Sequence, residues 1–364
     1  MKICVIGTRG FPNIQGGVEK HCELLYSHIA KISTENTIIV FRRKAYINSK
    51  NKTLNKRITF IDLPSTKIKG IEAVIHSFLA TIYSLFLKPE IVHIHNIGPS
   101  LFAPILKIRN IKIVLTYHSA NYEHNKWGYL AKALLRISEK IAFACADHII
   151  FVNKAQMEKC KKHIKHKCYY IPNGVVKPIK TNQKNILERF ELAEKEYILS
   201  VGRITPEKGF DILIKAYKAS KTRFKLVIVG DVETEQEYKN ELLKLAQGSS
   251  IVFTGTMLNN DLAQLYQNAG FYVLPSRNEG FPIVLLEAMS YGLDLIVSDI
   301  PATRQLSLDE DSYYPTNSIN KLTALIEAKS LACKRKVYDL KLFDWQNIAK
   351  QIYQYCVKLI FNRL

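Results

Sequence analysis

Apolar residues recur along this chain in two alternating rhythms. Short runs rich in β-branched and aromatic residues read as strands: ICVIG (Ile3 to Gly7), TIIVFRR (Thr37 to Arg43), IVHIHN (Ile91 to Asn96), IVLTYH (Ile113 to His118), HIIFVN (His148 to Asn153) and CYYIPNG (Cys168 to Gly174). Between them, apolar residues spaced for one face of a helix run through Val18 to Ile32, Ile71 to Leu87 and Gly128 to Ala146. The alternation resumes with YILSVG (Tyr197 to Gly202), KLVIVG (Lys225 to Gly230), IVFTG (Ile251 to Gly255), FYVLP (Phe271 to Pro275) and LIVSD (Leu295 to Asp299). Strands interleaved with helices predict doubly wound α/β layers, and 364 residues suit two such domains. We place them at 1–178 and 184–342, with the linker inside VVKPIKTNQKN (Val175 to Asn185) and a closing helix over Phe343 to Ile360.

In open α/β sheets ligands bind beyond the carboxyl ends of strands, so the loops there carry the candidate chemistry. After the first strand comes GTRGFPNIQGGVEKH, where Gly16 and Gly17 permit a tight turn feeding amides into a helix start, a geometry suited to phosphate. Arg9 in this loop is a candidate phosphate or acceptor contact. In the second half GRITPEKGF (Gly202 to Phe210) brings Arg203 and Lys208 to a strand end. Further on, RNEGFPIVLLEAMSYG sets Glu279 in a strand-to-helix loop and Glu287 on the second turn of a helix bounded by Pro282 and Gly292. Gly280 lets backbone approach a ligand, and the positive helix end beyond Pro282 favours phosphate. Carboxylates so placed would accept bonds from sugar hydroxyls; simple helix capping is the plainer alternative.

Charge divides unevenly. Residues 1–180 hold 29 Lys and Arg against 10 Asp and Glu, whereas 181–364 hold 23 against 22. A basic half beside a neutral one predicts that the first domain faces an anionic surface, nucleic acid or the cytoplasmic leaflet. The densest stretch, Phe41 to Arg57, includes Arg42, Arg43 and Lys44 and no acid, and a second basic cluster spans Lys159 to Lys167. Seven cysteines without a C-x-x-C pair suggest reduced thiols rather than a disulfide framework or zinc module. The opening MKICVIG reads as a strand, so no export signal is expected, nor is any transmembrane segment.

The second-half segment, with Glu279 and Glu287 at E-x7-E spacing, resembles the signature of retaining glycosyltransferases with two facing Rossmann-like domains, the GT-B fold and family 4 in particular. That resemblance implies ribose contacts for Glu287, while Glu279 and the amides of Gly280, Phe281 and Ile283 address sugar and diphosphate. It assigns the leaving-group cations to Arg203 and Lys208. By position the loop Thr254 to Leu258, with Met257 and Leu258, would border the base, and the resemblance implies that the last helix crosses back onto the first domain. HIHN-x-GP and VLTYHSANYEHNKWG are similar to a branch including capsule and O-antigen rhamnosyltransferases, which implies that His118 meets the transferred sugar. His93 and His95 share one strand face and could bind metal, but no acidic third ligand follows nearby, and the resemblance implies metal-independent transfer.

The expected partners are a dTDP-, UDP- or GDP-linked sugar, a lipid-linked saccharide acceptor and anionic lipids of the inner leaflet, not nucleic acid. The enzyme would act peripherally on the cytoplasmic membrane face in polysaccharide biosynthesis. A sugar-nucleotide 2-epimerase of the same fold is the alternative. A basic nucleic-acid-binding protein is the remote one, which would leave the second-half motifs unexplained.

Overall fold

The computed structural model describes residues 1–14, 16–47, 55–66, 68, 71–120, 122, 128–232 and 236–361. Lys50 and Lys52 of the basic stretch, and Lys126 and Trp127 of the KWG run, lie outside them. The chain forms two compact units, Met1–Gly174 with Leu342–Leu364, and Val175–Lys341.

Seven strands build the first sheet: β1 (Lys2–Ile6), β2 (Thr37–Arg43), β3 (Ile58–Leu63), β4 (Ile91–His95), β5 (Lys112–Tyr117), β6 (His148–Phe151) and β7 (Cys168–Tyr170). They pair in parallel in the order β3-β2-β1-β4-β5-β6-β7. Helices α1 (Gly17–Ile32), α2 (Ile71–Leu87), α3 (Ala103–Ile108), α4 (Tyr129–Cys145) and α5 (Lys154–Glu158) connect them. In the second unit the helices are α6 (Asn185–Arg189), α7 (Phe210–Ala219), α8 (Gln236–Ala246), α9 (Asn259–Asn268), α10 (Ile283–Ser290), α11 (Pro301–Arg304) and α12 (Ile319–Leu331). They surround strands β8 (Tyr197–Val201), β9 (Lys225–Val229), β10 (Ile251–Gly255), β11 (Phe271–Leu274), β12 (Asp294–Ser298) and β13 (Tyr313–Tyr314), in the order β10-β9-β8-β11-β12-β13. The last helix, α13 (Trp345–Phe361), returns to the first unit.

Because side chains alternate across a strand, each strand of the first sheet feeds two cores. Ile3 and Val5 of β1, Ile91 of β4 and Val114 of β5 pack under Leu25 and Tyr26 of α1 and Ile348 and Ile352 of α13. Cys4, Ile6, Val92, Ile94 and Leu115 face the opposite way, toward Ala80, Leu106 and Ala142. On α13, Trp345, Ile348, Ile352 and Cys356 form the buried stripe, each large apolar side chain contributing about 1.5–3 kcal/mol. Two strands escape the sequence reading. β3 was hidden because ITFIDL follows a basic run and alternates weakly, and β13 is only two residues long.

Chain order reverses beside β1 in the first sheet and beside β8 in the second. Each reversal leaves a crevice at the carboxyl ends of adjacent strands, β1 with β4 and β8 with β11. Arg9 lies on the loop leaving β1, Arg203 and Lys208 on the loop leaving β8, and Glu279 on the loop leaving β11.

Candidate functional site

In the second unit, the loop after β8 and the loop after β11 are fastened together. Gly209 holds φ +68, and a Cβ there would stand 2.1 Å from the Pro275 carbonyl oxygen. Only glycine permits both the left-handed backbone and that approach. Arg277 braces the junction. Its amide donates to the Glu207 carbonyl at 2.7 Å, and its guanidinium meets both carboxylate oxygens of Asp211 at 2.8 Å. Burial alone would raise the Asp211 carboxyl, but the hydrogen bonds and charge of Arg277 bring it below its ordinary value.

This bracing sets Lys208 against Glu279. The ammonium donates to Glu279 Oε1 at 2.6 Å, and the Ser276 hydroxyl donates to the same oxygen at 2.7 Å. Both side chains are largely buried. Sequence reasoning placed the cation on a diphosphate and the carboxylate on a sugar; the fold couples them directly. An ammonium carries three donors, so one is committed to Glu279 and the others can serve a ligand. Arg203 lies half-buried on the same loop. Glu279, Gly280, Phe281 and Pro282 lead into α10, whose first residue is Ile283. On α10, Glu287 accepts a 3.0 Å bond from the Tyr266 hydroxyl, and the Tyr266 ring stacks on Tyr291. Met257 is buried and Leu258 exposed just before α9.

In the first unit, Arg9 and Gly16 are engaged within the fold. Arg9 binds the Glu19 carboxylate through its amide at 3.1 Å and through Nε and a terminal nitrogen at 3.2 and 3.3 Å. A Cβ on Gly16 would fall 2.0 Å from Glu19 Oε2, so this glycine makes room for the ion pair. Glu19 is buried, which opposes ionisation, yet Arg9 holds its carboxyl below the ordinary value. Among the described residues of this loop Arg9 and Gly16 thus serve the Glu19 pair, while a Cβ on Gly17 would meet nothing within 4 Å.

Arg42 and Arg43 also require correction. They are 5% and 7% exposed, too little for a membrane-facing surface. Arg42 binds both oxygens of Asp62 on β3 at 2.6 and 2.9 Å and lies 4.0 Å from the Phe60 ring centroid. Arg43 pairs with Glu72 of α2 at 3.3 Å. The acids absent from Phe41 to Arg57 arrive from neighbouring elements, and only Lys44 of the three is exposed.

His118 sits just past β5 in a histidine cluster that local sequence spacing did not reveal. Its Nε2 lies 3.1 Å from His95 Nδ1, while His95 Nε2 meets the Tyr26 hydroxyl at 2.6 Å. His93 stacks on His95 at 4.4 Å between ring centroids and bonds Thr116. The missed member is His21 of α1, whose ring lies 4.8 Å from that of His118. Burial lowers all four, His21 to about 4 and His93 to about 3, so they are neutral at pH 7.

Helix α2 buries Ser77, Thr81 and Ser84, whose hydroxyls donate to carbonyls four residues back, and it exposes Ile71, Ile75, Phe78 and Phe86. Helix α4 exposes Leu130, Leu134 and Ile137 beside Arg136 and Lys140. Phe86 and Leu130 are 79% and 83% exposed. Both helices pack on the turn Gly98–Phe102. No helix among the described residues is long and apolar enough to cross a membrane.

The two crevice-bearing units correspond to two family matches, Glycosyltransferase Family 4 over residues 15–176 and Glycosyl transferases group 1 over residues 182–330. The chain belongs to the family 4, group 1 glycosyltransferases. This glycosyltransferase is 26% identical over 251 residues to an uncharacterized glycosyltransferase of Haemophilus influenzae, covering 67% of this chain and 66% of that protein. It is 28% identical over 205 residues to a lipopolysaccharide 1,2-N-acetylglucosaminetransferase of Salmonella typhimurium, covering 50% and 54%. The chain thus spans just under two thirds, and about half, of these relatives. Among solved structures, sucrose-phosphate synthase from Thermosynechococcus elongatus superposes with TM-score 0.83 at 20% identity, over 98% of each chain. Anabaena HepE in complex with UDP-glucose superposes with TM-score 0.72 at 19% identity, over 98% of this chain and all of that one. The glycosyltransferase has the GT-B fold, with two parallel-sheet Rossmann-like units.

Proposed function

We propose that this glycosyltransferase moves a sugar, with retention at the anomeric carbon, from a nucleoside-diphosphate donor to a lipid-linked saccharide during surface-polysaccharide assembly. The observation that carries the donor site is the Lys208–Glu279 pair, held by Gly209 and Arg277 at the β8/β11 crevice. A sugar hydroxyl can bond Glu279 while the remaining Lys208 donors and Arg203 meet the diphosphate. As the C1–O bond breaks, charge grows on the leaving phosphate, and these cations stabilise it without a metal cofactor. The acceptor oxygen attacks from the same face and its proton passes to the leaving phosphate. Glu287, oriented by Tyr266, is suited to ribose hydroxyls, and neutral His118 to the sugar. The named activity of the Salmonella relative, and UDP-glucose in the HepE structure, favour a lipopolysaccharide-type product and a UDP-linked donor, with dTDP- and GDP-linked sugars as the alternatives. A rhamnosyl donor keeps its support from HIHN-x-GP and the KWG run.

Peripheral attachment to anionic lipid is assigned to α2 and α4 in place of Arg42 and Arg43. A helix that buries its hydroxyls and exposes its large apolar side chains suits an interface, and Arg136 and Lys140 supply charge complementarity. The test is a thermal-shift screen of UDP-, dTDP- and GDP-sugars, followed by NMR assignment of the product anomer. Stabilisation by one donor class and a retained anomer are expected. Isomerised donor formed without acceptor would instead identify an epimerase.

A further inference from the structure

The histidine cluster holds a feature that the transfer reaction does not use. His21 Nδ1 lies 2.7 Å from Asn173 Oδ1, an atom that only accepts, so the proton resides on Nδ1. The other ring nitrogen, Nε2, is left as an unprotonated lone pair. It is buried without a hydrogen-bond partner on a residue 1% exposed. An orphaned buried acceptor of this kind calls for a ligand. Ring nitrogens of His21, His95 and His118 all fall within 4.8 Å of one another. His95 Nδ1 and His118 Nε2 are already 3.1 Å apart and share one proton. Zn–N bonds of about 2.0–2.1 Å place tetrahedral ligands about 3.3 Å apart, so this pair matches one edge of a zinc polyhedron.

We propose that His21, His95 and His118 form a three-histidine site for a borderline-soft divalent metal such as Zn2+, and that its occupancy inhibits the enzyme. Binding displaces the proton between His95 and His118 onto the outer nitrogen of the ring that carried it, so each imidazole stays neutral, and water takes the fourth position. Asn173 behind His21 and the Tyr26 hydroxyl behind His95 orient the rings, as outer partners of metal-bound histidines do. An all-imidazole set selects Zn2+, Co2+ or Cu2+ over Mg2+. Inhibition rests on the proposed role of His118 at the transferred sugar; the binding site does not.

The test is titration of metal-stripped full-length chain with Co2+, followed by Zn2+ and Mg2+. One Co2+ per chain should produce the visible band of a tetrahedral site, bleached by Zn2+ and unaffected by Mg2+. His21→Gln and His118→Gln should each weaken binding at least tenfold, and Asn173→Ala about tenfold. Melting curves without metal establish that the variants fold. X-ray absorption of the Zn2+-loaded wild type requires no variant and should count three imidazole ligands. Absence of the band, a sulfur ligand, or equal Co2+ affinity in a folded His21→Gln would overturn the site. Transfer by the metal-free protein reads the enzymatic proposal separately: turnover there, lost on adding Zn2+ and restored by chelator, is expected. Turnover unaffected by a saturated site would overturn the inhibitory role.

Discussion

Replacing Lys208 with Met removes the cation from Glu279 while retaining an unbranched side chain of similar length. In the structure the ammonium is 2.6 Å from Glu279 Oε1, and the two side chains are 19% and 10% exposed. Breaking a fully buried pair costs about 3–5 kcal/mol, and a fully exposed one under about 1. With this exposure, and with Ser276 still bonded to Glu279, we expect about 2–3 kcal/mol. At about 2–4 °C per kcal/mol for a domain of about 150–250 residues, the melting temperature should fall by about 4–12 °C. Catalysis should fall further under the proposed role of this cation at the leaving group. Loss of one such charge-stabilising donor costs about 10²–10³ in kcat.

The assay pairs calorimetry with donor-saturated turnover for Lys208→Met, Glu279→Gln and the double variant. If the two groups act as one unit, the double variant loses less stability than the sum of the singles. Additive losses would refute the coupling. Turnover of Lys208→Met within a factor of two of wild type would refute the charge role.

Glu287→Ala should weaken donor binding about tenfold or more by calorimetry while leaving the fold intact, and unchanged affinity would remove it from the ribose. Arg42→Gln should lower urea stability by about 2 kcal/mol by stranding Asp62 and the Phe11 carbonyl, with sedimentation on anionic liposomes unaltered. Phe86→Asp with Leu130→Asp should abolish that sedimentation without a comparable loss of stability; equal binding would move the membrane face elsewhere. Glu19 has a lowered folded value, so its contribution is complete above the ordinary glutamate value, about 4.3, and is lost as pH falls through the folded one. Glu19→Gln should therefore flatten the acid limb of the stability profile, and an unchanged slope would contradict the ion pair's role.

Local rhythm made both sheets legible, because parallel strands covered on both faces read as continuous apolar runs. The loops with Lys208 and Glu279 stood out through glycine and charge beside strand ends. Pairing across the fold was not legible. Arg42 and Arg43 looked like a basic patch because Asp62 and Glu72 lie on other elements, and Arg9 looked available because Glu19 begins the next helix. His21 was unremarkable in a helical pattern, and only the docking of α1 on β4 and β5 sets it beside His95 and His118. In α2 the apolar spacing was plain, yet it did not say which face was inside, and hydroxyls bonded to their own backbone allow the polar side to be buried.

The return of α13 to the first unit bears on the order in which the chain can fold. Trp345 packs edge-to-face on His21, and a Cβ on Gly174 would stand 2.7 Å from the indole ring. During synthesis the sequence of the second unit emerges complete before α13 does. Until then α1 keeps Leu25, Tyr26 and Ile29 without their final cover. The first domain to be translated is thus the last to finish, and its histidine cluster is sealed only when the final helix docks. A released chain truncated before Trp345 should display a protease-sensitive first domain beside a resistant second one.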